Sequence, residues 1–146
     1  MKRRTLRGQI TEGEVKRLIV DDGRLTHGYK IVRFVVATDI TNSTPAGVAA
    51  VLALDYDGTG PSWDWSDNRQ IGWSSTTVYS QSEAGNPFSL IDPDHIVIMD
   101  LWIQGQVFSS GGNDVFNYYI ELEPVELTDD QAILALIKER SQDALR

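Results

Sequence analysis

Apolar and polar side chains alternate at every second position over most of this chain. The longest such run, from His95 to Phe108, is the one around which the rest is arranged. Val97, Met99, Leu101, Ile103 and Val107 fall on one side of it, with Ile96, Ile98, Asp100, Trp102 and Gln104 on the other. A repeat of two residues is that of an extended strand, whose successive side chains leave by opposite faces. The turn formers SSGGND follow, and VFNYYIELE then alternates again, with Phe116, Tyr118, Ile120 and Leu122 against Asn117, Tyr119, Glu121 and Glu123. The pattern predicts a hairpin with a wide loop, in which Ile103 lies opposite Ile120, Leu101 opposite Leu122 and Val107 opposite Phe116. That register also sets Asp100 against Glu123, an unfavourable pairing of like charges. A cation, a bulge, a subunit contact or, most simply, an arginine beside a solvated edge is expected to relieve it.

Shorter runs precede this pair. Val15 to Val20 is a strand candidate ending at an Asp-Gly turn signal, Asp21-Asp22-Gly23. In YKIVRFVVATDI, β-branched and aromatic residues alternate, and the face carrying Val32, Phe34 and Val36 is the expected core side. Gly47 to Tyr56 is small and apolar on both faces, which suits an inner strand or one facing another subunit. Arg69 to Tyr79 is a further strand, and polar loops rich in Gly, Pro, Ser and Asp separate the runs. Seven or eight short antiparallel strands of this kind make an all-β sandwich or barrel.

The last segment changes period. Thr128-Asp129-Asp130-Gln131 is a capping box, with acids at the positive end of a helix dipole and Lys138, Arg140 and Arg146 toward the negative end. The first turns of this helix, Ala132 to Ile137, are apolar all round. Ile133, Leu134, Leu136 and Ile137 therefore either seat wholly on their own domain or leave a stripe for a partner subunit. The organisation expected is a short basic arm over 1–8, a β-sandwich over 9–127 and a helix over 128–146.

Composition narrows the function classes. A chain of 146 residues suits one domain, which at this size buries roughly 68–70% of its unfolded surface. There is no cysteine, so disulfides, cysteine metal knuckles and thiol nucleophiles are excluded. The opening MKRRTLRGQITEGEV lacks the apolar core of a secretory signal, and AGVAAVLAL, the longest uncharged apolar stretch, falls far short of the ~20 residues that span a bilayer. A soluble protein without membrane partners is expected. The net charge is -8, yet Lys2, Arg3, Arg4 and Arg7 crowd the first seven residues. An acidic body repels phosphate backbones, so nucleic acid contact is expected through that arm alone.

Few residues suggest chemistry. Asp55, Asp57 and Gly58 resemble the opening of a calcium loop, and Asp64 is a further oxygen donor, but Ser66 stands where the closing glutamate belongs. Trp63, Trp65 and Trp73 surround this loop. They suit a sugar platform, lids folded back on the sandwich, or a subunit interface. Asp92, Asp94 and His95 sit together before a strand, where Asp-Pro-Asp is also ordinary turn chemistry. No nucleophile elbow, phosphate loop or dinucleotide fingerprint occurs, and an enzyme is not expected. No cofactor is expected, calcium apart.

The segments DDGRLTHGYKIVRF, DNRQIGW, IDPDHIVIMDLWI and ELTDDQAILALIKERSQD resemble pieces of small structural proteins encoded by uncultured marine viruses. The resemblance implies a jelly-roll-like coat sandwich that assembles with copies of itself, and with other virion proteins, in a host cytoplasm. No catalytic residue carries over. Jelly-roll coat subunits run longer and carry a longer basic arm, so main-shell, minor and decoration roles all stay open. The function expected is a non-enzymatic capsid or decoration subunit, with Trp63, Trp65 and the helix at its interfaces and Lys2, Arg3, Arg4 and Arg7 facing nucleic acid. The alternative is a calcium-assisted carbohydrate-binding sandwich using Asp55, Asp57, Asp64 and the two loop tryptophans.

Overall fold

The computed structural model describes residues 2–21, 23–24, 26–38, 46–56, 60–78, 87–109 and 114–140. Eight segments run extended: β1 (Arg4–Thr11), β2 (Lys16–Ile19), β3 (His27–Thr38), β4 (Ala46–Ala53), β5 (Gln70–Val78), β6 (Phe88–Ile91), β7 (Asp100–Ser109) and β8 (Val115–Glu126). A helix, α1 (Asp129–Arg140), follows. The strands form two antiparallel sheets, β1-β8-β3 and β2-β7-β4-β5-β6. The chain passes between them after β1, β2, β3 and β7, wrapping in the manner of a jelly roll, as expected of an all-β sandwich. The short strand β6 pairs with β5 and also reaches the other sheet, where the Ser89 hydroxyl donates to the Phe34 carbonyl at 2.7 Å.

The core lies between the sheets. Ile10, Leu18, Phe34, Val36, Leu52, Leu101, Ile103, Phe116, Ile120 and Leu122 make one buried cluster drawn from both. Each such side chain contributes roughly 1.5–3 kcal/mol by leaving water.

This arrangement corrects the expected hairpin. The strands β7 and β8 are consecutive, but they belong to different sheets. Leu101 and Ile103 do meet the layer that holds Ile120 and Leu122, across the core and not across a ladder. Matching apolar faces are required of facing sheets as much as of paired strands, so the pattern fits both arrangements. The clash of Asp100 with Glu123 disappears with the hairpin. Asp100 is opposite Ile19 and accepts a hydrogen bond from Arg17 at 3.0 Å. Glu123 is opposite Lys30 and lies 3.9 Å from Arg3. The regular strand also begins later than expected, at Asp100. Ahead of it, Val97 makes an isolated bridge with Tyr29 of β3, tying the two sheets together.

Two local expectations change as well. Residues 1–8 are not a free arm throughout, because from Arg4 onward the chain is the edge strand β1, paired along its length with β8. Leu6 packs against the core and Ile10 is buried within it, so two apolar side chains on one face outweigh the basic residues around them, Arg4 and Arg7. In β3, Phe34 and Val36 are buried as expected, but Val32 is 37% exposed and Ile31 takes the core position. The register of β3 against β8 shifts between Ile31 and Arg33, and one extra residue in a strand turns the side chains before it to the opposite face.

Backbone and core meet closely at Gly105 in β7. A Cβ there would stand 2.8 Å from the Ala49 carbonyl oxygen and 2.8 Å from Phe116 Cζ. Gly105→Ala is expected to destabilise the protein by about 1–3 kcal/mol, since one neighbour is fully buried Phe116 and the other is backbone of the adjacent strand. Urea denaturation monitored by tryptophan fluorescence measures this, and an unchanged midpoint contradicts the packing described.

Candidate interaction surfaces

The loop between β4 and β5 is built by side chains that satisfy its own backbone. Asp64 accepts the Ser66 amide at 3.0 Å. The Gln70 carbonyl oxygen accepts both the Asp64 amide and the Trp73 indole N–H at 2.9 Å, while its amide donates to the Ser62 carbonyl at 3.0 Å. Beneath the loop, Arg69 and Asp67 form a buried two-pronged ion pair, with Nε–Oδ1 and Nη2–Oδ2 both at 3.0 Å. Two charges are buried at tolerable cost only when paired in this geometry. Spacing alone does not reveal the pair, because Asp-Asn-Arg is unremarkable in a polar loop.

The loop folds over the outer face of the five-stranded sheet. Trp63 is half-buried, donates to the Ala50 carbonyl at 3.2 Å and stacks on Phe88 with ring centres 5.7 Å apart. Trp65 meets buried Trp73 edge-on at 6.1 Å and keeps 65% of its surface exposed. Farther along the same face, Trp102 stacks with Tyr56 at 5.8 Å, and the Arg17 guanidinium lies 6.0 Å from its ring centre. All four tryptophans thus belong to one face of one sheet. Trp63 acts as a lid, and Trp65 is the indole offered to solvent.

Of the calcium candidates, Asp55 accepts the Tyr56 amide at 2.8 Å and Asp64 serves the turn at Ser66, so both carboxylates are engaged within their own loop. Asp57 lies outside the described residues. Among the described residues, no three His, Asp or Glu side chains converge as a metal site.

The basic residues near the start divide between the faces of β1. Arg4 turns inward at the rim, donating to the Val20 carbonyl at 3.1 Å with its guanidinium 5.2 Å from the Tyr29 ring centre. Arg7 is exposed on the opposite face, Arg3 leans on Glu123, and Lys2 is exposed ahead of the strand. They do not make one continuous positive patch. Among the described residues, no helix is long and apolar enough to cross a membrane.

The capping box of α1 is formed in full. The Gln131 carbonyl oxygen accepts the Thr128 amide at 3.0 Å, and the Thr128 hydroxyl accepts the Gln131 amide at 3.2 Å. Only one residue at its start is deeply seated: Ala132 is 3% exposed, against 55% for Ile133, 67% for Leu134 and 55% for Ile137. Leu136 is half-buried. Three of the four expected interface residues on the helix are therefore open to solvent. Where α1 meets the sandwich, Leu134 and Gln131 line a cleft of about 600 Å3 whose other walls include Lys30, Asn68, His95 and Glu126.

His95 at the base of this cleft has a fixed proton arrangement. The Ile31 amide donates to Nε2 at 2.9 Å, so the ring proton is on Nδ1 and is donated to the Asp92 carbonyl. The imidazole is thus a neutral strap between β3 and the segment before β7, and not a free acid or base. Burial holds its pKa below the ordinary value of 6.5; the Asp92 carbonyl and the charges of Asp92 and Asp94 pull upward, and Lys30 pushes down. Protonation would place a second N–H against the Ile31 amide. The folded state therefore binds this proton less readily than the unfolded chain, and the stability it gives is present above pH 6.5 and lost as pH falls toward the lowered native value. Urea midpoints at successive pH values are expected to fall more steeply below pH 6.5 for the natural protein than for His95→Gln. Parallel slopes for the two proteins refute the strap.

No protein-family model, curated protein or solved structure matches this chain.

Proposed function

We propose that the protein is a non-enzymatic structural subunit of a virion, a capsid or decoration component that assembles with copies of itself. The observation that carries the reading is α1. A helix of this length standing alone is marginal in water and is ordinarily held by the apolar face it buries. Here the sandwich buries Ala132 and leaves Ile133, Leu134 and Ile137 exposed as one contiguous stripe. The capping box contributes about 1 kcal/mol, which fixes where the helix starts but does not cover that stripe. A second subunit would. Exposed Trp65 on the outer sheet face and exposed Ile19 on β2 add apolar surface of the same kind. The jelly-roll wrapping and the resemblance to viral structural proteins agree with this reading. The calcium-assisted sugar module has less behind it, because Asp55 and Asp64 are committed to their own turns.

Multi-angle light scattering of the purified protein is expected to give a mass of several subunits. In the double variant Leu134→Glu, Ile137→Glu, association should weaken by at least about tenfold per side chain while the far-ultraviolet β-sheet spectrum is kept. A natural protein that stays monomeric at high concentration overturns the proposal.

A further inference from the structure

The outer face of the five-stranded sheet has a second region, beyond the tryptophan loop. Trp73 and Thr77 are four positions apart on β5, a distance of roughly 13 Å along a strand. There the register sets Gly47 of β4 between Thr77 and Phe108, and Ala49 between Ser75 and Gln106. Two of the smallest side chains thus floor a groove of about 450 Å3, with hydroxyls along one side and an amide and an aromatic ring along the other. Its size falls in the class of small-ligand clefts, roughly 300–1,000 Å3.

The groove's chemistry is selective. Phe108 is 77% exposed, a flat apolar surface held at the rim by the end of β7. The side chains of Ser75, Thr77 and Gln106 form no hydrogen bond with any other described residue, so their donors and acceptors are available. Among the described residues, no lysine or arginine lines the groove, in a chain that carries 13 of them. A phosphate or sulfate would find no counter-charge there. Glu12, the one carboxylate among the described lining residues, already accepts the Val107 amide at 3.1 Å. An apolar partner, whether lipid or the greasy face of another subunit, would strip water from two hydroxyls and an amide without replacing its hydrogen bonds. What satisfies all of these groups is a neutral ring with one C–H face and a rim of hydroxyls.

We propose that this groove binds a neutral oligosaccharide, with a sugar ring stacked on Phe108 and its hydroxyls bonded to Gln106, Ser75 and Thr77. The site needs no metal. It is also independent of the assembly reading, since its residues lie on β4, β5 and β7 and none on α1.

Isothermal titration of the full chain with cellohexaose, chitohexaose, maltohexaose and mannohexaose, and with a heparin-derived hexasaccharide as the charged arm, tests the proposal. Saturable binding of at least one neutral hexasaccharide is expected, with none of the heparin fragment. Phe108→Ala should weaken that binding about tenfold, as loss of an aromatic contact does, and Phe108→Trp should restore it. Because Phe108 is a surface residue, its removal should leave the melting temperature in place. Trp65→Ala should leave the affinity unchanged. The proposal is overturned if no neutral sugar binds at millimolar concentration, if the heparin fragment binds in preference, or if Trp65→Ala abolishes binding that Phe108→Ala spares. It is equally overturned if Phe108→Ala lowers the mass by light scattering, which would make a second copy the occupant. Loss of assembly on changing Leu134 and Ile137, with sugar binding kept, would separate the two functions.

Discussion

One apolar layer, closed on both sides by a sheet, holds this molecule together. Phe34 and Phe116 come to it from the three-stranded sheet, Leu52, Leu101 and Ile103 from the five-stranded sheet, and none of them meets solvent. Close packing of that layer fixes the distance between the sheets and leaves little freedom in how they lie on one another. Each other feature depends on which side of the layer a residue stands. Residues facing it are apolar because they must be; residues facing away are free to serve a partner, a ligand or water.

The layer is open at its ends, and polar straps close them. Tyr29 and Val97 exchange backbone hydrogen bonds at 2.8 Å between β3 and the segment leading to β7. Neutral His95 makes a second link between the same two segments through Ile31 and Asp92. Below the tryptophan loop, the Arg69–Asp67 pair and the branching contacts of Gln70 do comparable work at the end of β5. These groups are buried and hydrogen-bonded, which is the condition under which polar atoms are tolerated inside a protein. Of the cluster of Asp92, Asp94 and His95, His95 and the Asp92 carbonyl hold two segments together at one end of the core.

The surface that remains is uneven in a way that bears on function. The outer face of the five-stranded sheet carries all the tryptophans and the exposed ring of Phe108, whereas the outer face of the three-stranded sheet mixes Arg7 and Arg33 with Glu121 and Glu123. Helix α1 adds a third surface that is apolar and uncovered. A protein that neither associates nor binds has no need to keep that much greasy and aromatic area in water. The proposed assembly through α1 and the proposed sugar site beside Phe108 would each use one of these surfaces, and α1 supplies no residue to the groove.

Much of this was legible in residue order. The two-residue repeat marks strands and their inward sides, and the box Thr128 to Gln131 marks where the helix starts, because both depend on neighbours a few residues away. The excess of apolar side chains on α1 was visible for the same reason. Pairing was not legible. Alternation says which face of β7 is buried but not which strands lie beside it, and a facing sheet demands the same pattern as an adjacent strand. Charge obscured β1, where Leu6 and Ile10 sit among arginines, and a single-residue bulge exchanged Val32 for Ile31 at the core. The proton on His95, the ion pair of Arg69 and the groove beside Phe108 join residues distant in the chain or depend on how a loop is seated. The sequence by itself determined an all-β chain with a capped helix, since those are local consequences of periodicity and hydrogen-bonding capacity. Only the tertiary structure decided which strands are neighbours and which aromatic rings reach solvent, because both are set by how two sheets close over a shared core.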